Sequence, residues 1–416
     1  MKFRELTINE FTKFLNKSEL KSFMQSPKMD TASTNVYYLG VEKNEKIVAG
    51  CRLTSKKNRL GYNYFYSPRG LLLDYKNEEI LKFFVDSLKK FVKERKGYVL
   101  HIDPNILYKS RDINGDITDE YDNGDIVEII KKYGFIHNGF TTGYDQGHQV
   151  RWQYVIDLEN KSFDDVAKEF KPHHMSKIKK AEKFGIIIKD ISYDDLPVFK
   201  NITEQTSKLI GFSDRSLEYY QHMYESFGDD VRFVIAYLDA EKYKKKIEEE
   251  LETYNKKYEK FYNKENNSAK EVKKNIDSLT NRLNEVAKYD EKMIPLSASM
   301  FMLFGDEVIY LFSGNVDKYN NFYAQYLIQW MMIKYACENN YKKYNFYGIR
   351  GLFDKDADGV YEFKKGFGGH VEEYIGDFYL PINWYYYFNR VFDKIKGRWC
   401  LKYFLVFLMK FILWGE

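Results

Sequence analysis

The segment Glu241–Lys292 reads EKYKKKIEEELETYNKKYEKFYNKENNSAKEVKKNIDSLTNRLNEVAKYDEK and contains neither glycine nor proline. Apolar residues recur in it at spacings of three and four, on both sides of a polar break at 263–268. They are Tyr243, Ile247, Leu251, Tyr254, Tyr258 and Phe261 before the break, and Val272, Ile276, Leu279, Leu283 and Val286 after it. This spacing gives each helix one apolar stripe, and a short turn lets the two stripes face each other. We therefore predict an antiparallel coiled-coil helical hairpin over 240–292, with arms of about 20 residues reaching roughly 30 Å.

The charge of this hairpin excludes it from a protein core, because half of its residues are charged. It must project from the domain that it interrupts. Two interpretations stay open for it. It is either a solvated spacer without chemistry, or a handle for a large partner such as RNA, another subunit or a membrane surface.

Length and composition set the broad class of the protein. A chain of 416 residues exceeds what a single core usually fills, so two domains plus the hairpin are expected. The net charge of only +4 means that any basic surface is local. Three widely separated cysteines, Cys51, Cys337 and Cys400, argue against a disulfide framework and for a reducing compartment. The opening MKFRELTINEF has no apolar segment of the secretory type, so we expect a cytoplasmic protein.

The end of the sequence carries an apolar run, Trp399–Trp414, which reads WCLKYFLVFLMKFILW. It is too short, and with Lys402 and Lys410 too charged, for a membrane span. A helix lying at the bilayer interface fits better, because Trp384–Phe388 and several basic residues precede it. The alternative is a terminal helix that docks onto the protein's own core. We favour peripheral contact with the inner face of the cell membrane.

Alternating strand and helix patterns predict an α/β fold made of two similar units in tandem, the second interrupted by the hairpin. The predicted boundaries are 1–150 for the first domain, 151–239 and 293–380 for the second, 240–292 for the hairpin and 381–416 for a basic, aromatic helical tail. Within the second domain, Phe163–Phe184 is predicted as one continuous helix. The glycine-rich stretch Tyr361–Gly369 is predicted to be an extended segment.

Known catalytic and metal-binding motifs do not occur in the sequence. It has no P-loop and no nucleophile elbow. The spacing of its histidines does not suggest a metal site, and the neighbours His173 and His174 are expected to point apart. Short motifs at predicted strand ends are more informative. They are Tyr66–Gly70 (YSPRG), His101–Pro104 (HIDP), Gly211–Tyr220 (GFSDRSLEYY), Tyr344–Gly351 (YNFYGIRG) and Tyr361–Gly369 (YEFKKGFGG).

These motifs, in this order, resemble the Fem family of peptidoglycan interpeptide-bridge aminoacyltransferases, especially its MurM and MurN branch. The resemblance covers essentially the whole chain and includes Lys2–Thr7 (KFRELT), Phe23–Ser26 (FMQS), Phe363–Gly366 (FKKG) and Ile375–Phe378 (IGDF). It implies a tandem pair of acetyltransferase-like (GNAT) domains with a helical arm in the second. It also implies transfer of an amino acid from aminoacyl-tRNA to an amine on the peptide of lipid II or a UDP-linked muropeptide. The donor is a tRNA, and no cofactor is expected.

The resemblance points to two residues for the chemistry of ester aminolysis. Lys364, which follows Phe363 at the family's Phe-Lys position, is placed to stabilise the oxyanion or the tRNA 3′ end near it. Asp103 is placed to hold or deprotonate the acceptor amine. The alternatives are a surface lysine and a turn-forming aspartate before Pro104.

Substrate binding is assigned to further residues. Arg215 and Tyr219 match the family's Arg-x-x-x-Tyr spacing, and on one helix face they would clamp the diphosphate and sugar of the acceptor. Phe363, which precedes Lys364 in the family's Phe-Lys position, is also assigned to substrate binding. Arg69, in a Pro-Arg-Gly turn, is either structural or phosphate-binding.

A basic helix face is assigned to tRNA, and here the sequence departs from its relatives. Where they carry an Arg-Arg pair, this chain has His173 and His174. Positive charge continues in the lysines that follow, but the bidentate guanidinium groups are missing. The predicted tRNA contacts are Lys177, Lys179, Lys180 and Lys183.

Two other functions compete with aminoacyl transfer. An acetyl-CoA-dependent acyltransferase would need a glycine-rich pyrophosphate loop, and the sequence between Leu311 and Asn321 has none. A non-catalytic or altered-specificity Fem-like immunity or scaffold protein would use the hairpin and tail for contacts. The joint presence of Asp103, Arg215 and Lys364 speaks against it.

Overall fold

The structure, a computed structural model, describes residues 1–144, 147–210, 213–261, 267–288, 292–353 and 359–396. These form two compact units. Unit 1 contains 1–153, 348–353 and 370–396, and unit 2 contains 154–347 and 359–369. The sequence analysis assigned all of 293–380 to the second domain. In the structure, two parts of that range, 348–353 and 370–380, belong to unit 1.

Unit 1 begins with an antiparallel run of strands followed by a helix that covers them. Its elements up to residue 150 are β1 (Lys2–Glu5), α1 (Ile8–Lys17), β2 (Asn35–Lys43), β3 (Lys46–Lys57), β4 (Asn63–Ser67), α2 (Glu78–Glu94), β5 (Gly97–Ile102), β6 (Leu107–Arg111), β7 (Ile117–Asp122), α3 (Gly124–Lys132) and β8 (Ile136–His137). Helix α1 begins directly after Thr7, because Thr7 and Glu10 form a capping box. Helix α2 buries one apolar face, including Phe84 and Leu88, in the core of this unit.

Unit 2 repeats the strand and helix arrangement on a larger scale. Its elements are β9 (Trp152–Asp157), α4 (Phe163–Lys168), α5 (Pro172–Phe184), β10 (Ile186–Asp190), α6 (Leu196–Ile210), α7 (Leu217–Phe227), β11 (Val231–Asp239), α8 (Ala240–Glu259), α9 (Asn267–Val286), β12 (Met293–Phe304), β13 (Glu307–Asn315), α10 (Ala324–Glu338), β14 (Lys343–Ile349) and α11 (Gly359–Lys365). Its strands lie in the order β10-β11-β12-β13-β14-β9. Large aromatic side chains such as Phe199, Phe301 and Phe346 are fully buried in its core.

The last part of the described chain returns to unit 1 as β15 (His370–Tyr374), β16 (Phe378–Pro381) and α12 (Tyr385–Lys396). Strand β16 completes a seven-stranded sheet of order β1-β2-β3-β4-β5-β16-β8 and pairs antiparallel with β5. Helix α12 packs Tyr385 and Tyr386 against Tyr98 and Val99 of β5. This return is a long-range pairing, and no local sequence pattern encodes it.

Both units contain the same strand–helix–strand crossover. In unit 1, β4 and β5 are parallel neighbours joined through α2. In unit 2, β13 and β14 are parallel neighbours joined through α10. Antiparallel strands precede each parallel pair. The predicted mixed α/β fold with two similar units in tandem therefore describes the molecule.

Helices α8 and α9 lie in the segment 240–292, where the hairpin was predicted. They leave and rejoin the sheet at adjacent backbone positions, because Asp239 of β11 is paired with Met293 of β12. Each helix has 20 residues, and residues 262–266 between them lie outside the described ranges. The apolar residues that these helices bury include Tyr243 and Ile247 on α8 and Leu279 on α9.

Two predicted elements near the site are wrong in form. Phe163–Phe184 is not one helix, since α4 ends at Lys168 and α5 begins at Pro172. Proline disfavours a helical conformation in the residue before it, and Lys171 accordingly has φ −59° and ψ 141°. The stretch 361–369 is not an extended segment throughout, because its first five residues belong to helix α11.

The apolar run Trp399–Trp414 lies outside the described residues, and the predicted interfacial helix there stays a prediction. Within the described ranges, no helix is both long and apolar enough to cross a membrane.

Candidate functional site

Lys364 is a buried lysine in the last turn of α11. Its side chain is only 5% exposed, and Nζ donates a hydrogen bond to the Tyr347 carbonyl at 3.4 Å. Its neighbour Lys365 is half-buried, and its ammonium lies 5.4 Å from the centre of the Tyr361 ring. The two lysines differ because a helix turns about 100° per residue and not, as the sequence suggested, because an extended segment alternates. Lys364 therefore places its amino group at a buried position inside unit 2.

His174 holds α11 in place. It is buried, and its Nε2 donates to the Phe363 carbonyl at 2.9 Å. Its Nδ1 pairs with Nε2 of His173 at 2.8 Å, so the two adjacent histidines contact each other and do not point apart. Burial lowers the pKa of His174 to about 4, and the Phe363 hydrogen bond opposes this shift. A neutral His174 thus anchors the backbone beside Lys364.

Gly366, directly after α11, must be a glycine because the His174 ring occupies the space that a side chain would need. An ideal Cβ on Gly366 would lie 1.9 Å from Cε1 of His174 and 2.1 Å from Nε2. The Gly366 carbonyl also accepts a hydrogen bond from the Lys171 amide at 2.9 Å. The start of α5 and the end of α11 are therefore fixed against each other by direct contact.

Arg215 and Tyr219 lie together at the start of α7, as the sequence predicted from their spacing. The guanidinium carbon of Arg215 is 5.3 Å from the centre of the Tyr219 ring and 5.8 Å from that of Phe312. Ser216 caps α7 by accepting a hydrogen bond from the Tyr219 amide. Arg215 is exposed to solvent while Tyr219 is half-buried. The exposed guanidinium of Arg215 therefore lies next to the aromatic rings of Tyr219 and Phe312.

Tyr347 lies beside both parts of the site in unit 2. Its carbonyl accepts the hydrogen bond from Lys364, and its backbone is held in the left-handed region at φ 62°. Burial raises the pKa of Tyr219 to about 12, and the nearby phenol of Tyr347 adds to this shift while Arg215 opposes it. The motif around Tyr344–Gly351 thus contributes a residue that the sequence did not single out.

The predicted tRNA-contacting lysines lie on α5, but they are not equivalent. Lys177 donates to the Tyr326 hydroxyl at 2.8 Å, and Lys183 pairs with Glu250 of α8 at 3.1 Å. Lys179 and Lys180 are exposed. These last two line a shallow depression together with Pro172, Met175, Ser176 and Lys183.

Asp103 and Arg69 form a buried pair in unit 1. Asp103 Oδ1 accepts a hydrogen bond from the Arg69 amide at 2.8 Å, and Oδ2 lies 3.8 Å from Arg69 Nε. The Arg69 guanidinium also donates to the Val150 carbonyl at 2.6 Å and lies 4.4 Å from the Tyr374 ring centre. Burial raises the pKa of Asp103 to about 7, with Arg69 opposing and Asp377 reinforcing the shift.

A second polar cluster in unit 1 went unnoticed in the sequence. His101, His148 and Asp377 bring ligand atoms within 4.8 Å of one another, the one such group among the described residues that is suited to a metal ion. Both ring nitrogens of His101 already have hydrogen-bond partners, Tyr64 at 2.6 Å and Asp377 at 2.7 Å. The signals available in sequence were the motifs HIDP and IGDF, whose strands pair only in the fold.

Comparison with known proteins extends these observations. The model of the FemAB family matches residues 6–394. Aminoacyltransferase FemA of Staphylococcus epidermidis is 32% identical over 416 residues, covering 95% of this chain and 100% of the relative. Aminoacyltransferase FemA of Staphylococcus aureus is 32% identical over 402 residues, covering 92% and 96%.

Two solved structures share the fold. The crystal structure of FemX matches with a TM-score of 0.72 at 24% identity, covering 92% of this chain and 97% of FemX. A tandem GNAT protein from the clavulanic acid biosynthesis pathway matches with a TM-score of 0.50 at 8% identity, covering 92% and 98%. The repeated crossover of the two units accords with that tandem architecture. Together with the family match, which spans most of the sequence, this establishes that the chain belongs to the FemAB family.

Proposed function

We propose that this protein transfers an aminoacyl group from aminoacyl-tRNA to an amine on the stem or branch peptide of a peptidoglycan precursor, and so builds the interpeptide bridge. The acceptor is lipid II or the UDP-linked muropeptide. The observation that carries this proposal is the near full-length, 32% identity to the aminoacyltransferases named FemA. The tRNA ester supplies the activated acyl group, so the reaction needs no separate cofactor.

The reaction is aminolysis of an ester. The acceptor amine attacks the carbonyl carbon of the aminoacyl ester, a C–N bond forms, and the C–O bond to the tRNA ribose breaks. Negative charge develops on the carbonyl oxygen between these events. A desolvated cation stabilises such charge strongly because it is already oriented and little water competes with it. Lys364, which is buried in the last turn of α11, is assigned that role.

The remaining site residues are assigned to substrate binding and proton transfer. Asp103 receives the proton that the acceptor ammonium must lose. Arg215 and Tyr219 hold the diphosphate and sugar of the acceptor, since a guanidinium over an aromatic ring offers both charge and a stacking surface. Phe363 forms a wall beside Lys364. Arg69 acts by positioning Asp103, which its amide contacts.

The tRNA is assigned to the exposed face of α5 and to the neighbouring helices. We infer that α8 and α9 close as an antiparallel coiled-coil hairpin, which the burial of Ile247 and Leu279 supports. Lys183 of α5 pairs with Glu250 in the middle of α8, so the helix that carries the lysines is in direct contact with this hairpin. Lys177, Lys179 and Lys180 supply the remaining positive charge for phosphates.

The protein is proposed to act at the cytoplasmic face of the cell membrane. Trp384 and Tyr387, which flank the buried Tyr385 and Tyr386 at the start of α12, are 66% and 58% exposed. Exposed aromatic residues of this kind favour the headgroup region of a bilayer. They lead into the apolar run Trp399–Trp414.

The proposal is tested by incubating the purified protein with lipid II and charged tRNAs and following the acceptor by mass spectrometry. One amino acid should be added, and pretreatment with RNase should abolish the addition. Undiminished activity with acetyl-CoA and no tRNA would overturn the proposal in favour of an acetyltransferase. A protein that binds lipid II but transfers nothing from any charged tRNA would indicate a scaffold.

The role of Lys364 is tested by Lys364→Met, which keeps the length and apolar stem of the side chain. We expect turnover to fall on the order of 100-fold while acceptor binding changes little, because an oxyanion contact strengthens only as charge develops. Lys365→Met is the matched control and should stay within a few-fold of wild type. Equal rates for the two variants would remove Lys364 from the site.

A further inference from the structure

Asp214, the residue directly before Arg215, carries a buried carboxylate next to an exposed arginine. It stands between α6 and α7 in the chain, and its side chain is only 5% exposed. Arg215 is exposed to solvent. Burying a carboxylate is unfavourable unless its oxygens are paired, so the partners of Asp214 indicate what it does in the fold.

Three side chains hold the Asp214 carboxylate. Lys200 and Thr203, both on α6, donate hydrogen bonds to Oδ2 at 2.8 Å each. The Tyr220 hydroxyl, on α7, donates to Oδ1 at 2.7 Å. We call these four residues the Asp214 anchor. The anchor ties the residue before Arg215 to two helices at once, and hydrogen bonds to an ionised carboxylate are among the stronger ones in proteins.

The anchor is part of the core of unit 2. Tyr220 is fully buried and Thr203 is 1% exposed. The centre of the Tyr220 ring lies 5.0 Å from that of Phe199 and 5.8 Å from that of Phe312. Phe312 is also the ring that lies 5.8 Å from the guanidinium carbon of Arg215. The same buried contacts therefore fix both the backbone before Arg215 and an aromatic ring next to its guanidinium.

The anchor also leaves the Arg215 guanidinium available to an anionic ligand. An aspartate and an arginine next to each other in the chain can pair, but here the Asp214 carboxylate is neutralised by Lys200. In the part of the chain that the structure describes, no carboxylate pairs with Arg215. An exposed guanidinium without such a partner can offer its N–H groups to a diphosphate.

We propose that Asp214 is a positioning residue for acceptor binding, which acts through Arg215. Held by the anchor, it fixes the start of α7 and keeps its own carboxylate away from the neighbouring guanidinium. This inference rests on the proposed function and deepens the role of Arg215. A cation that is already in place loses less freedom when the ligand binds. The anchor touches no reacting atom, so it changes the affinity for the acceptor and not the rate of the chemical step.

The test measures binding of a UDP-linked muropeptide to the purified protein by calorimetry, without tRNA. Asp214→Asn should weaken binding on the order of tenfold, because the charged hydrogen bonds of the anchor are lost. The direction of the change distinguishes two explanations. Asp214→Asn removes a negative charge beside the site, and charge alone would strengthen the binding of an anionic acceptor. Unchanged or tighter binding would therefore overturn the inference.

The matched control is Glu225→Gln, which makes the same change of charge at an exposed position of α7 and should keep the wild-type affinity. Tyr220→Phe removes one hydroxyl of the anchor without changing a charge or a ring. It should weaken binding in the same direction as Asp214→Asn, and it tests the anchor even if Asp214→Asn does not fold. Wild-type affinity in a folded Tyr220→Phe would contradict the inference.

A double variant shows whether Asp214 acts through Arg215. Arg215→Ala alone should weaken binding, and adding Asp214→Asn to it should cause no further loss. A further loss as large as that in the wild-type background would assign Asp214 a merely structural role and overturn the inference. Wild-type binding by Arg215→Ala would remove the acceptor role of Arg215 and the inference with it.

Transfer kinetics separate this inference from the proposed function. In Asp214→Asn the KM for the muropeptide should rise while kcat stays close to that of the wild type. A fall in kcat with an unchanged KM would overturn the inference. If Arg215→Ala weakens binding and Asp214→Asn does not, only the inference fails. If Asp214→Asn weakens binding in a protein that transfers nothing, the anchor is supported and only the proposed transfer fails.

Discussion

Burial separates residues that look alike in the sequence. Lys364 and Lys365 are adjacent, yet only the first has a buried side chain. The choice of Lys364 came from a family motif and not from its local pattern. His174, by contrast, was read as part of a missing basic pair, although in the fold it is a neutral anchor for the Phe363 carbonyl. A histidine near a helix start gives no signal in sequence for the strand or helix that it will contact.

Gly366 provides a stability test of that anchor. In Gly366→Ala the new methyl group meets the His174 ring at about 2 Å, and the ring is packed against Tyr326 and Phe367. We expect chemical denaturation to show a loss of about 1–3 kcal/mol, typical of overpacking. His174→Ala in the same chain should recover part of this loss, since it removes the colliding ring.

Gly359→Ala is the matched control, because no atom lies within 4 Å of its ideal Cβ and it also belongs to α11. It should be neutral or slightly stabilising, since alanine favours a helix over glycine. If Gly366→Ala proved as stable as Gly359→Ala, the contact between α5 and α11 would not be as rigid as the geometry indicates.

The raised pKa of Asp103 predicts that the stability of the fold depends on pH. Its pKa is about 7 in the folded protein and 3.8 ordinarily, so the folded state binds this proton more tightly than the unfolded state. Its contribution therefore stabilises the fold at low pH and is lost as pH rises from about 4 to 7, by up to about 4 kcal/mol. The free-energy difference between Asp103→Asn and wild type should accordingly favour the variant more at pH 8 than at pH 5. A difference that is constant with pH would show that Asp103 stays ionised in the fold.

Single elements show where the sequence pattern was sufficient and where it failed. The apolar spacing in 241–292 located α8 and α9, because a charged segment without glycine or proline has few alternatives to a helix. The same reasoning wrongly predicted α4 and α5 as one helix. The apolar spacing continues across Pro172, but the residue before a proline disfavours the helical conformation, so the helix is interrupted there. As a result the lysine face begins at a helix start that is hydrogen-bonded to the end of α11.

The exposed lysines of α5 give a prediction for tRNA binding. Lys179→Gln with Lys180→Gln should weaken binding of aminoacyl-tRNA and reduce the slope of log affinity against log salt by about 1 per lysine that contacts a phosphate. Binding measured between low and moderate salt gives that slope. Lys89→Gln with Lys90→Gln, an exposed adjacent pair on α2, is the control and should keep the wild-type slope. Identical slopes for both double variants would move the tRNA site away from α5.

At the scale of the whole molecule, two similar α/β units were predictable because each crossover is local in sequence. The return of the chain to unit 1 was not predictable. Strand β16 is four residues long and pairs with β5, which is more than 270 positions earlier in the chain. The candidate chemistry divides in the same way. Arg215 and Tyr219 were found together from a four-residue spacing, whereas the hydrogen bond between His101 and Asp377 depends on that distant pairing.

The predicted membrane contact belongs to the end of the sequence and is tested by truncation. A chain that stops after Lys396 keeps all of α12 but loses the run Trp399–Trp414. Burying several large apolar side chains at roughly 1.5–3 kcal/mol each is enough for reversible attachment to a bilayer, and an enzyme held there searches for a lipid-linked acceptor in two dimensions. The full chain should therefore sediment with anionic vesicles and the truncated chain should stay in the supernatant. Transfer to lipid II should slow while transfer to a UDP-linked acceptor stays near the rate of the full chain. Removing a membrane anchor exposes no protein core, so the truncated chain should stay folded. If it unfolds or aggregates, the run 399–414 is part of the fold and the predicted membrane contact is wrong.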